Sequence, residues 1–171
     1  MANRLLKLNW CKQLKDVYNF GYVRELDSQY CPKVRDVGAL GNDYKLLIGG
    51  VYANLFSYEG IEALSNVHEL EISNCTITDV SPLANFHNLT LGYCANLTDV
   101  SSLSLVQKLT LYFCHGIIDV DALHTVPDLA LNYCNLITDI SRLSSVPKLK
   151  INNCAGITDW GTILHSDLYS T

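Results

Sequence analysis

The chain has no long apolar run. Nothing in its 171 residues resembles a membrane-spanning stretch, and the opening Met-Ala-Asn-Arg-Leu-Leu-Lys-Leu-Asn-Trp is not an apolar leader. Neither a secretion signal nor a membrane anchor is expected, and the default compartment is the cytoplasm. Without a secretion signal, the Asn-x-Thr triplets at Asn74, Asn88 and Asn96 are chance matches. Positive charge is also lacking. The net charge is −5 and the lysines and arginines are scattered, which argues against nucleic acid, because a polyanion is held by clustered cations. There is no Cys-x-x-Cys pair, and the five histidines, His68, His87, His115, His124 and His165, show no metal or triad spacing. No Gly-rich phosphate loop or nucleophile elbow occurs. These absences lead to the expectation of a protein without metal, cofactor or catalytic residues.

What the chain does have is periodicity. Cysteines stand at Cys11, Cys31, Cys75, Cys94, Cys114, Cys134 and Cys154, and four of the six gaps between neighbours are twenty residues. Internal repetition of this kind decides the fold before any other feature. Aligned on cysteine, one copy reads Val106-x-x-Leu109-x-Leu111-x-x-Cys114-x-x-Ile117-Ile118-Asp119-Val120-x-x-Leu123. The copies before and after it repeat these positions, and the Cys75 copy is one residue shorter after its cysteine. The N-terminal third is more degenerate. Its third copy has Val51 in the cysteine slot and about four extra residues within 52–60. Eight units open at Leu6, Leu26, Leu46, Leu70, Leu89, Leu109, Leu129 and Leu149, and a truncated ninth near Leu168. Leu-x-Leu alternation predicts a short strand, and the following Thr-Asp-Val-Ser chemistry predicts a turn. One strand and one turn cannot bury their own apolar face, but stacked copies can. Eight parallel strands would span on the order of 35 Å.

The pattern Val-x-x-Leu-x-Leu-x-x-Cys-x-x-Ile resembles the leucine-rich repeat from about Leu5 to Leu164. The Ile77–Leu83 run, Ile-Thr-Asp-Val-Ser-Pro-Leu, resembles the internalin-type repeat. The twenty-residue, cysteine-bearing form is similar to repeats in proteins of large DNA viruses of amoebae and algae. The resemblance implies a single domain over residues 1–171, an α/β-type solenoid that is mostly strand and turn. Its concave face would be a parallel sheet of about eight strands, and its convex side short 3₁₀ pieces. It also implies a non-catalytic module that binds a protein partner through the concave sheet, and a viral protein with a host target.

In a solenoid every repeat position becomes a column. The cysteine column is read as small buried side chains whose thiols donate weakly to neighbouring carbonyls, in preference to disulfides or stacked zinc ligands. The column Asp16, Asp36, Asp79, Asp99, Asp119, Asp139 and Asp159 is read as caps on backbone N–H groups rather than calcium ligands. The column Glu25, Lys45, Glu69, Asn88, Lys108, Asp128 and Lys148 largely alternates in sign and should pair across strands. His68 and His87 are equivalent positions in adjacent units and are expected to be a solvated pair.

The aromatic column preceding each cysteine is expected at the edge of the concave sheet. Its Tyr30, Tyr93, Phe113 and Tyr133, with Tyr112 beside it, are the candidate partner-binding residues. The same strip could stack on sugars or simply on itself. Phe56 and Tyr58 of the third unit's longer loop are further candidates. Polar end caps are nearly absent, and Trp160, Ile163 and Leu164 are expected to be exposed on the last coil. That leads to the expectation of a homodimer through a terminal coil, or of end-to-end assembly as a structural protein.

Overall fold

The computed structural model describes residues 5–34, 36–50, 60–161 and 163. Val51, Phe56, Tyr58, Leu164 and the truncated ninth unit near Leu168 lie outside the described residues. The strands are β1 (Leu5–Lys7), β2 (Glu25–Gln29), β3 (Lys45–Gly49), β4 (Glu69–Ser73), β5 (Asn88–Gly92), β6 (Lys108–Tyr112), β7 (Asp128–Asn132) and β8 (Lys148–Asn152). They form one parallel sheet in chain order. The residues that open the units face one another through it: Leu6 pairs Leu26, Leu26 pairs Leu46, and so on to Leu129 with Leu149. From β2 onward the second and fourth residues of each strand point inward and are buried. A slip of one residue would turn this whole row to water, so burial holds the register.

Each strand ends at a corner. Trp10, Tyr30, Asn74, Tyr93, Phe113, Tyr133 and Asn153 have φ between 52° and 66°. Their N–H groups still extend the ladder: those of Tyr93, Phe113 and Tyr133 donate to the Tyr112, Asn132 and Asn152 carbonyls at 2.9 Å. The chain therefore stays hydrogen-bonded while it swings off the sheet. The left-handed region costs a side-chain-bearing residue about 1–2 kcal/mol, which Asn tolerates best. The corner aims the next side chain, cysteine, inward. All seven cysteines are free, and all but Cys11 are buried. As expected, thiols donate to carbonyls of the preceding coil: Cys114 to Leu91 at 3.5 Å, Cys134 to Leu111 at 3.8 Å and Cys154 to Leu131 at 3.6 Å.

Beyond the cysteine the chain turns again and enters a 3₁₀ segment. The residue at the N-cap is a valine or isoleucine with no capping atom. The aspartate one place earlier supplies it. Asp79, Asp99 and Asp139 accept the N–H groups of Ser81, Ser101 and Ser141 through Oδ1 at 2.9 Å. Asp36, Asp119 and Asp159 do the same for the residue two ahead. Hydrogen bonds from the Ser81 and Ser101 hydroxyls and N–H groups, and from the Ser141 N–H and hydroxyl, hold the Asp79, Asp99 and Asp139 carboxyls below the ordinary carboxylate range. The 3₁₀ segments run from three to six residues, Tyr18–Phe20 to Ile61–Asn66, opposite the sheet. No helix among the described residues is long and apolar enough to cross a membrane.

The third unit departs from the repeat in two places. Gly60 has φ 72°, and a Cβ there would lie 2.8 Å from the Gly38 backbone, so the chain rejoins the stack by a contact only glycine permits. Asp43 fills a slot that is Val67, Val106, Val126 or Val146 in other units and is only 1% exposed. Neither carboxylate oxygen has a hydrogen-bond partner among the described residues. Burial pushes this carboxyl up to about 7.

The last coil corrects one expectation. Ile163 is only 1% exposed and belongs to the core. Its N–H donates to the Trp160 carbonyl at 3.1 Å, so a turn folds it back onto the stack. Trp160 is half-buried and packs against the same core.

Candidate protein-binding face

The inner columns of the sheet repeat, and the outer ones do not. On β2–β4 the outward residues include Glu25, Asp27, Glu69 and Glu71 against Lys45. On β6–β8 they include Lys108, Lys148 and Lys150 against Asp128. The face thus runs from acidic to basic along the solenoid. Two of the expected cross-strand pairs form: Lys45 with Glu69 at 2.9 Å and Lys148 with Asp128 at 3.0 Å. The hydrogen bond from Lys45 to Glu69 raises the Lys45 ammonium. Pairs this exposed contribute a few tenths of a kcal/mol each, roughly, and act mainly on register.

At the middle of the face one carboxylate collects partners from far away. Glu71 Oε1 on β4 accepts the Tyr112 hydroxyl of β6 at 3.1 Å and the Gln29 amide of β2 at 3.4 Å. Each donor stands two strands from Glu71, and each intervening strand ends in glycine: Gly49 on β3 and Gly92 on β5. A Cβ on Gly92 would lie 1.9 Å from the Tyr112 ring. Burial, and then the Glu71 charge, push the Tyr112 phenol up. Beside this bridge lies a depression of about 310 Å³ lined by Lys45, Glu69, Glu71, Asn88, Thr90, Lys108 and Thr110. Lys108 has no ion-pair partner among the described residues.

Stacked rings frame both ends of the strands. At the corners Trp10 stacks on Tyr30 at 4.3 Å, and Phe113 lies between Tyr93 at 4.7 Å and Tyr133 at 4.4 Å, each pair within 7° of parallel. At the strand starts Tyr44 stacks on His68 and His68 on His87, both at 4.7 Å, with the Arg24 guanidinium over Tyr44 at 5.2 Å. His68 and His87 are therefore stacked on each other, with His87 still exposed to solvent. The column Arg24, Tyr44, His68, His87 was the available sequence signal for this second ladder. The signal for the Glu71 bridge was a glycine at the same strand-end position in β3 and β5.

The structure thus gathers Tyr93, Tyr112, Phe113 and Tyr133 into one ring cluster, with Tyr112 edge-on to Tyr93 at 5.4 Å and to Phe113 at 6.4 Å. Tyr30 stands apart with Trp10, across the Gly50 and Asn74 corners. Faces inside the stacks are occupied by neighbouring rings, and edges remain: Tyr93 is 45% exposed and Tyr133 40%. Among the described residues no three of His, Cys, Asp and Glu converge to hold a metal ion.

No family model matches the chain, and no curated protein matches it. Solved structures do. An internalin, inlC2, of Listeria monocytogenes matches with a TM-score of 0.64 and 23% identity over 90% of this chain and 73% of that one. A second Listeria monocytogenes internalin, inlF, matches with a TM-score of 0.57 and 20% identity over 98% of this chain and 62% of that one. The chain thus spans less than two thirds of the second. At these identities the likeness establishes the fold, a leucine-rich-repeat solenoid.

Proposed function

We propose that the chain is a non-catalytic protein-interaction module that binds its partner on the solvent face of the sheet, centred on Glu71. The observation that carries this reading is the Gln29–Glu71–Tyr112 bridge. Regular columns build the stack, whereas this contact joins three different strands, uses the space left by Gly92 and fixes a partly exposed carboxylate on the sheet face. A preorganised polar group beside an exposed aromatic cluster is the usual composition of an interface centre. The acidic-to-basic run of the face gives the partner a direction: its basic part lies over β2–β4 and its acidic part over β6–β8.

The finer reading is a viral protein acting on a host protein in the cytoplasm, supported by the resemblance of the twenty-residue cysteine repeat. Self-association through the last coil is the second reading, and it rests on the partly exposed Trp160. Alanine at Tyr93, Phe113 and Tyr133 tests the ring edges as contacts. It abolishes partner binding if they belong to the interface and spares self-association, and a Trp160→Ala variant does the reverse. Glycan-array binding lost with the triple variant would instead favour a sugar ligand.

A further inference from the structure

The fourth unit breaks the cysteine column in a way that has chemical consequences. Every other described cysteine is followed by a turn in which the residue three ahead donates its N–H to the cysteine carbonyl, as Leu97 does to Cys94 at 3.2 Å and Ile117 to Cys114 at 3.3 Å. The Cys75 unit is one residue short and has no such turn. The step from Cys75 to Cys94 is nineteen residues, and the two sulfurs lie 3.3 Å apart. Elsewhere the thiol reaches back to the carbonyl of the preceding strand, as Cys114 does to Leu91. Cys94 instead meets Cys75. The two follow β4 and β5 in register, and neighbouring parallel strands are about 4.8 Å apart, within the Cα separation that a disulfide spans.

We propose that Cys75 and Cys94 are an oxidisable pair that closes to a disulfide between the fourth and fifth coils, with a hydroperoxide as oxidant. Either thiol can donate to the other across this contact, and the step is written with Cys75 attacking. Its thiolate attacks one peroxide oxygen and the O–O bond breaks. The leaving oxygen takes up a proton and departs as alcohol or water, and Cys75 becomes a sulfenic acid. The Cys94 sulfur then attacks the sulfenyl sulfur, forming the S–S bond, and its proton leaves with the hydroxyl as water. Two thiols lose two electrons and one peroxide gains them. Both sulfurs are fully buried, so reaction waits on local opening of the coil and is slow beside that of an exposed thiol.

The test treats the native chain with hydrogen peroxide, blocks remaining thiols with iodoacetamide and maps the digest by mass spectrometry. The expected result is a Cys75–Cys94 linked peptide, about 2 Da lighter than the sum of its two reduced halves. Dithiothreitol reverses it, and the oxidised chain melts at a higher temperature. A Cys75→Ala variant with an unchanged circular dichroism spectrum forms no link to Cys94. If the native chain keeps all its thiols, or links Cys94 to Cys114 or Cys11 to Cys31 in preference, the proposal is overturned.

Discussion

The Tyr112 ring occupies the volume that a side chain at Gly92 would need. A Cβ on Gly92 would come within 1.9 Å of the ring, and the hydroxyl beyond it donates to Glu71 at 3.1 Å. Gly92→Ala must therefore displace Tyr112 and break its bond to Glu71, at a cost of about 1–3 kcal/mol for overpacking. Tyr112→Ala alone loses ring burial and the hydrogen bond. In the double variant the clash has no object, so the two losses are strongly non-additive. Urea denaturation of the four chains measures this coupling, and strict additivity would count against the observed contact.

Asp43 should make the protein less stable as pH rises. Its carboxyl titrates near 7 in the folded chain against 3.8 as the ordinary value. Between those values the unfolded chain has released the proton and the folded chain still holds it. Stability is highest below about pH 4 with respect to this group and declines through pH 7, by roughly 4 kcal/mol for a shift of this size. Asp43→Val restores the residue that other units carry in that slot. It should raise the melting temperature at pH 7.5 and do much less at pH 4.5. Equal effects at the two pH values would contradict the assignment.

The capping aspartates act in the opposite direction. The folded-state values of Asp79, Asp99 and Asp139 are depressed by bonds from Ser81, Ser101 and Ser141. Their contribution is present above the ordinary aspartate value and is lost as pH falls through the folded value. Replacing all three by alanine should lower stability at neutral pH and flatten the acid limb of the stability profile. A parallel downward shift with an unchanged acid limb would show that the carboxylate charge is not what caps the segments.

Phe113 has a ring stacked on each side while sitting at a φ of 53°. Asparagine occupies the same corner at Asn74 and Asn153, so Phe113→Asn keeps the backbone and removes both stacks. At about 0.5–1.5 kcal/mol per aromatic pair, the loss should be about 1–3 kcal/mol before the easier αL backbone offsets part of it. Tyr133→Asn, which removes the single stack with Phe113, should cost less in the same chemical denaturation experiment.

Periodicity made the sheet legible in the sequence. With a period near twenty, aligning the cysteines also aligns Leu89, Leu109, Leu129 and Leu149, the residues that pair in the sheet. The capping role of Asp99 followed from its place before Val100-Ser101. What escaped was any contact that crosses columns. Gln29 and Tyr112 reach Glu71 across 42 and 41 residues, and the Tyr112 ring does so through space that any side chain at Gly92 would fill. The left-handed corner was hidden as well, because aromatic residues there give no local sign of it. Ile163 read as exposed because it stands on the last coil, yet it fills the buried slot of Leu123 and Leu143, and its N–H donates to Trp160 as theirs do to Val120 and Ile140.

The most direct test of the binding face is to pan a displayed random-peptide library on the immobilised chain and rank the recovered peptides against two variants. Glu71→Gln alters the centre of the sheet face and Asp139→Asn a cap on the opposite side. Peptides rich in basic residues that bind at least about tenfold more weakly to Glu71→Gln, and equally to Asp139→Asn, are the predicted result. Peptides indifferent to Glu71→Gln, or sensitive to both variants alike, would contradict a binding centre at Glu71.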